Sequence, residues 1–223
     1  MIKNLYIFRH GETDYNIARR MQSVLDIPLN QNGIHQAEEL AKKLAGVNLG
    51  CIYTSKLGRA IETANIVAKP NKTPVIVDNR LHEWDLGVFK GKILNVIKAP
   101  KYTPIDLTKD TVSIPRLLLI DNDYVPENGE SFNSCINRVS EALDYIVKNT
   151  DSENIGIATH GGVIRAILTR YTNYANGGMP NADYMILQWD GKKFRLLDKP
   201  KWLKMKHPIV LVKDFISNMF HGR

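Results

Sequence analysis

Leu5-Tyr6-Ile7-Phe8-Arg9-His10-Gly11 and Ile155-Gly156-Ile157-Ala158-Thr159-His160-Gly161-Gly162 are two versions of one pattern. Each is a short apolar run that stops at a histidine followed by glycine. Apolar runs of this length, without polar alternation, suit strands buried on both faces of a sheet. In sheets whose strands alternate with helices, ligands and chemistry gather at the carboxyl ends of the strands. The two histidines stand at such ends.

Working outward, the stretch Gly33 to Leu44 carries Ile34, Ala37, Leu40, Ala41 and Leu44 at helical spacing. Cys51 to Thr54 reads as a second strand, followed by a helix from Gly58 to Ala68. Val75 to Val77, between Pro74 and Asp78, reads as a third strand. From Gly87 to Asn128 the chain holds Pro100, Pro104, Pro115 and Pro126 and reads as irregular. A helix over Ser131–Val147 places Phe132, Ile136, Val139, Leu143 and Ile146 on one stripe, and another runs from Val163 to Thr169. Tyr184 to Trp189 and Lys193 to Leu197 form a closing hairpin around Asp190-Gly191. Strands alternating with helices predict an α/β fold around a mostly parallel sheet.

With 223 residues, 43% hydrophobic and 24% charged, the composition is that of a globular protein and excludes a disordered, collagen-like or membrane-embedded chain. The net charge is +7, but Lys199, Lys201, Lys204, Lys206, Lys213 and Arg223 face a single Asp214 in the last 25 residues, which therefore carry +5. The body is nearly neutral, so no nucleic-acid partner is expected. Two cysteines, Cys51 and Cys135, make neither a disulfide framework nor a metal-ligand spacing. Arg9 interrupts the N-terminal apolar run too early for a signal peptide, and no stretch approaches a membrane span. The expectation is a cytoplasmic protein.

Arg9, His10, Arg59, Glu83 and His160 are the polar groups placed near strand ends. Two arginines can hold phosphoryl oxygens in bidentate fashion. A histidine offers a nitrogen nucleophile near neutral pH. A carboxyl group can give a proton to a leaving oxygen and later take one from water. Glycine after each histidine lets backbone and substrate approach closely. Singly, each residue reads as a turn or a solvated side chain. Jointly they can perform phosphoryl transfer through a phosphohistidine, without metal.

The blocks that carry these residues resemble the histidine phosphatase superfamily, in its phosphoglycerate mutase-like branch. They are Arg9-His10-Gly11-Glu12-Thr13 with Asn16, then Tyr53-Thr54-Ser55-Lys56-Leu57-Gly58-Arg59-Ala60, then Leu81-His82-Glu83-Trp84-Asp85-Leu86-Gly87. Asn128-Gly129-Glu130-Ser131 with Arg138, and Thr159-His160-Gly161-Gly162-Val163-Ile164-Arg165, complete the series in the family's order. The resemblance implies a three-layer α/β/α sandwich. It implies His10 as the phosphorylated nucleophile and Glu83 as proton donor and acceptor. Arg9, Arg59 and His160 would line the phosphate pocket, with Asn16 and the Gly161 N–H adding hydrogen bonds.

The same resemblance frames the remaining expectations. A histidine phosphatase domain spans 1–198, with a cap-like insertion at about 86–125, and a basic tail covers 199–223. Trp84-Asp85-Leu86-Gly87 and Asn128-Gly129-Glu130-Ser131 look like the phosphatase rather than the mutase branch. The reading is therefore a metal-independent phosphomonoesterase, with a cofactor-dependent phosphoglycerate mutase or a non-catalytic phosphate-binding module as alternatives. Its substrate is a phosphorylated small molecule, a phosphoprotein staying open. Lys90, Lys92, Lys98 and Lys101 in the insert are solvated lysines or contacts for a second anionic group. Ile114 to Ile120 is expected to fold back onto the body. Two positions depart from the family pattern: Ser23, where relatives often have glycine, and Asp183, a negative charge near the phosphate site. In the tail, Ile209, Val212, Ile216 and Met219 share a helical stripe, which reads as a docked terminal helix or as a contact with a membrane surface or second subunit.

Overall fold

Strand β1, Lys3–Arg9, lies inside a six-stranded sheet, between a parallel and an antiparallel neighbour. The structure, a computed structural model, describes residues 1–97, 103–115, 121–175, 178–197 and 200–205. The sheet also contains β2 (Cys51–Thr54), β3 (Val75–Val77), β6 (Asn154–Thr159), β8 (Tyr184–Trp189) and β9 (Phe194–Leu196). Their order is β3-β2-β6-β1-β8-β9. The first four run parallel, and the closing hairpin is antiparallel. Register aligns Arg9 with Thr159, so His10 and His160 leave the sheet side by side.

Side-chain alternation builds a core on each face. Leu5 and Ile7 of β1 join Leu143 and Ile146 of α4 (Phe132–Asn149) and Val163 and Ile164 of α5 (Gly161–Tyr171). On the other face, Tyr6 and Phe8 meet Leu40 and Leu44 of α2 (Gln31–Leu44) and Ala64 and Val67 of α3 (Gly58–Ala68). The result is the expected three-layer α/β/α arrangement. Caps fix the helix starts: Asn30 accepts the Gly33 N–H, and Ser131 accepts the Ser134 N–H. A one-turn helix, α1 (Asp14–Ile17), follows the first histidine and is closed by a capping box between Thr13 and Asn16.

The stretch expected to be irregular contains a second sheet. β4 (Ile93–Ile97) and β5 (Thr111–Pro115) pair in parallel, and Leu94, Val112 and Ile114 reach the main core. Parallel strands need a crossover rather than a tight turn, so no hairpin signal marks them. Pro115 is accommodated because β5 is an edge strand of a two-stranded sheet. The insert is tied to the segment after α1: Met21 N–H donates to Lys92 O (2.9 Å), and Gly91 N–H donates to Met21 O (2.7 Å). Ile114 packs inward as expected, while residues 116–120 lie outside the described residues. β7 (Tyr174–Ala175) pairs with β10 (Lys204–Met205), and Trp202 and Leu203 pack against the core. The expected tail helix falls outside the described residues. Among the described residues no helix is long and apolar enough to cross a membrane.

Candidate active site

His10 is held from all sides by backbone contacts. Its N–H donates to Thr159 O (3.0 Å), and Asn181 Nδ2 donates to the carbonyls of His10 (3.0 Å) and Gly11 (3.1 Å). The ring Nδ1 lies 2.6 Å from Gly11 O. A carbonyl only accepts, so Nδ1 carries the hydrogen and Nε2 keeps its lone pair. Burial, then the charges of Arg59 and Arg9, hold the His10 imidazolium well below the ordinary histidine range. The ring is therefore neutral at physiological pH.

Both arginines are buried and pinned. Arg59 opens α3, where Nη1 donates to Leu25 O (2.6 Å) and Nη2 to Ser23 O (2.8 Å). Arg9 Nη1 donates to Met179 O (2.8 Å). Burial pulls each guanidinium down to about 10, with the Glu83 carboxylate opposing, so both remain cationic at neutral pH. Arg59 Nε is buried with no hydrogen-bond partner among the described residues. Thr63 ties the two elements together, accepting from Gly11 N (3.0 Å) and donating to Arg59 O (2.8 Å).

Glu83 arrives on a short turn after β3, anchored by Thr159 Oγ1 on Leu81 O (2.9 Å). Its carboxylate accepts the Trp84 N–H (2.8 Å) and the Gly162 N–H (3.0 and 3.2 Å to its two oxygens). The second contact sets it against the first turn of α5. Arg138 on α4 clamps the turn from behind, donating to the carbonyls of Arg80, His82 and Glu83 and to the Glu130 carboxylate. Glu130 in turn accepts the Asp85 N–H (3.0 Å).

Arg9, His10, Asn16, Arg59, Glu83 and Gly161 line one small cavity. Asn16 Oδ1 takes hydrogen bonds from Thr13 and Asn181. His160 is fully buried with its ring centroid 5.2 Å from that of His10, and Gly161 rather than the His160 ring forms the adjacent wall. Both His160 ring nitrogens lack hydrogen-bond partners among the described residues, and burial, then Arg59, holds that ring neutral as well. Arg20, Gln22 and Ser23 also line the cavity and had not been singled out as site residues. Of these, only Ser23 carried a signal, as a departure from glycine. Arg20 forms a bidentate pair with Asp110 (2.5 and 2.8 Å) that ties the rim to the insert.

The other departure, Asp183, accepts its own neighbour's Tyr184 N–H (2.9 Å) and does not line the cavity. Lys90 pairs with Asp85 (3.2 Å), so its charge is already matched; Lys98 and Lys101 lie outside the described residues. Among the described residues no group of three or more His, Cys, Asp or Glu side chains is placed to hold a metal ion.

A neutral imidazole, two buried guanidiniums and a carboxyl group thus gather around one cavity at the carboxyl edge of the sheet in a three-layer α/β fold. The chain belongs to the histidine phosphatase superfamily, branch 1, whose model matches residues 5–199, and it is an enzyme of the histidine-phosphatase type. It is 33% identical over 205 residues to phosphoglycerate mutase-like protein 4 of Arabidopsis thaliana, covering 89% of this chain and 81% of that one. It is 30% identical over 210 residues to a metal-independent phosphoserine phosphatase of the same plant, covering 92% and 83%. The solved mycobacterial glucosyl-3-phosphoglycerate phosphatase complexed with VO3 superposes with a TM-score of 0.70 at 29% identity, covering 87% of this chain and 96% of that one.

Proposed function

We propose that this protein hydrolyses a phosphate monoester through a covalent phosphohistidine on His10, without a metal ion. The observation that carries the reading is the 2.6 Å contact between His10 Nδ1 and Gly11 O, which leaves the Nε2 lone pair for attack in a cavity flanked by Arg9 and Arg59. Nε2 attacks phosphorus in line with the ester oxygen. As the P–O bond breaks, Glu83 gives its proton to the departing oxygen. Arg9 and Arg59 hold the phosphoryl oxygens and stabilise the charge spread over them. Asn16 and the Gly161 N–H add hydrogen bonds to those oxygens. Water then attacks phosphorus, Glu83 takes its proton, the P–N bond breaks, and inorganic phosphate leaves with His10 regenerated. His160 packs beside the His10 ring and supports it from behind the cavity wall. The substrate of this proposal is a phosphorylated small molecule.

Phosphate release from a panel of monoesters in EDTA, with wild type beside His10→Ala, tests this reading. Release by wild type alone, with an acid-labile phosphoryl group trapped on the wild-type protein, is the expected result. Interconversion of 3- and 2-phosphoglycerate without phosphate release would establish the mutase alternative instead. Neither activity would point to a binding module.

A further inference from the structure

Ser23, a single buried residue, joins the two halves of the site, one through its carbonyl and the other through its hydroxyl. Its backbone is left-handed, with φ +49°, a conformation in which L-residues other than Asn and Asp are rare. Arg19, Lys72, Asn128 and Ala182 are the other non-glycine residues in that region among those described, and Ser23 alone lines the cavity. The turn aims the Ser23 carbonyl at Arg59, whose Nη2 donates to it (2.8 Å). It aims the hydroxyl the other way. Ser23 Oγ donates to Trp84 O (2.8 Å) and accepts from Leu86 N–H (2.8 Å). Donor and acceptor are thus both used, on backbone groups of the segment that follows Glu83. Glycine would take the same φ but could not make this clasp.

We propose that the Ser23 hydroxyl is a positioning device for Glu83, setting the carboxyl where it meets the leaving oxygen. The inference rests on the proposed phosphatase reading. Gly162 N–H and Arg138 hold the Glu83 turn from the α5 and α4 sides, and the clasp supplies the hold from the arginine side. Because the contacts of Arg59 use the Ser23 carbonyl, loss of the hydroxyl leaves phosphate binding in place. What suffers is proton delivery.

The test is Ser23→Gly, which keeps the turn and removes only the clasp. Phenyl phosphate needs a proton on its departing oxygen; p-nitrophenyl phosphate leaves as a stabilised phenolate and hardly does. The expected result is a loss of about tenfold in kcat/KM on phenyl phosphate, in the range a small misplacement of a catalytic group produces. Loss on p-nitrophenyl phosphate stays within about twofold, and inhibition by inorganic phosphate is unchanged. In a Glu83→Gln background the same substitution changes neither ester further, because the clasp acts through that carboxyl. Equal losses on both esters, a weakened phosphate inhibition, or no loss on either overturns the clasp while leaving the phosphatase reading intact. Failure of wild type to release phosphate from any ester overturns the phosphatase reading and the clasp with it.

Discussion

Gly162 and Glu83 are fitted to each other with no space to spare. The Gly162 N–H meets both carboxylate oxygens, at 3.0 and 3.2 Å, and a Cβ at residue 162 would stand 2.3 Å from Glu83 Oε1. It would also lie 3.0 Å from Trp84 Cβ. Gly162→Ala should therefore displace the carboxyl group rather than unfold the protein. Alanine favours the first turn of α5 by up to about 1 kcal/mol, which offsets part of the crowding. The expected outcome is a fall in kcat of about 10²-fold from a displacement on the ångström scale. The melting temperature should move by only a few degrees, and the two measurements together separate displacement from unfolding.

Arg138 does not itself line the cavity, yet it should be the most sensitive stability site near it. Its guanidinium serves three carbonyls and the Glu130 carboxylate, and both side chains are largely buried, at 15% and 18% exposure. Arg138→Met leaves a carboxylate without its cation, a change that costs about 3–5 kcal/mol in buried pairs. Arg138→Lys should recover little, since a lysine cannot present the planar fork that reaches four partners. Urea denaturation of the two variants beside wild type measures both effects.

Much of this was legible in the chain, for reasons that particular residues make plain. Leu5–Phe8 and Ile155–Ala158 are runs without polar alternation because their strands are covered on both faces, and each leads within two residues to a histidine. Arg59 and Glu83 were singled out only through their joint occurrence and the blocks Tyr53–Ala60 and Leu81–Gly87 that carry them, since alone each reads as a solvated side chain. The supports of those residues were not. Asn181, Thr63 and Ser23 act on backbone carbonyls and N–H groups, which every residue possesses, so nothing in their spacing announces the partner. The parallel pair of β4 and β5 escaped notice for a related reason. Its alternation of Val112 and Ile114 with Thr111 and Ser113 covers only five residues, and its partner strand lies beyond a crossover.

Asn181 provides a test in which the sign depends on one atom. Its Nδ2 faces three oxygens, those of His10, Gly11 and the Asn16 side chain. Asn181→Ala removes the donor and should cost about 1–3 kcal/mol, typical of buried groups left without a partner. Asn181→Asp keeps the shape but sets a charged acceptor against three acceptors. It should destabilise more than alanine does and lower kcat by loosening the His10 loop. Melting curves ranking wild type above alanine above aspartate are the expected outcome; aspartate equal to wild type would remove Asn181 from the supporting frame.

The two buried histidines should write themselves into the pH dependence of both stability and rate. Burial, and then Arg59, depresses the His10 and His160 values in the folded protein, and His82 shifts the same way, chiefly through burial. In the unfolded chain these rings take up protons near pH 6.5. Below that pH the unfolded state binds protons that the folded state refuses, so stability falls as the solution is acidified. Above it both states are neutral, and the histidines contribute no slope. Carboxylates such as Asp78, whose folded value is lowered, act only at more acid pH, so the window between about pH 5 and 6.5 isolates the histidines. Unfolding free energies measured across that window should rise with pH and then level off, and His160→Gln should flatten the rise. For catalysis, His10 still neutral below pH 6.5 keeps its lone pair there. The limb of kcat/KM that reports protonation of the nucleophile should accordingly lie well below pH 6.5, whereas a midpoint at 6.5 or above would mean that solvent reaches the ring and that the buried geometry does not hold in solution.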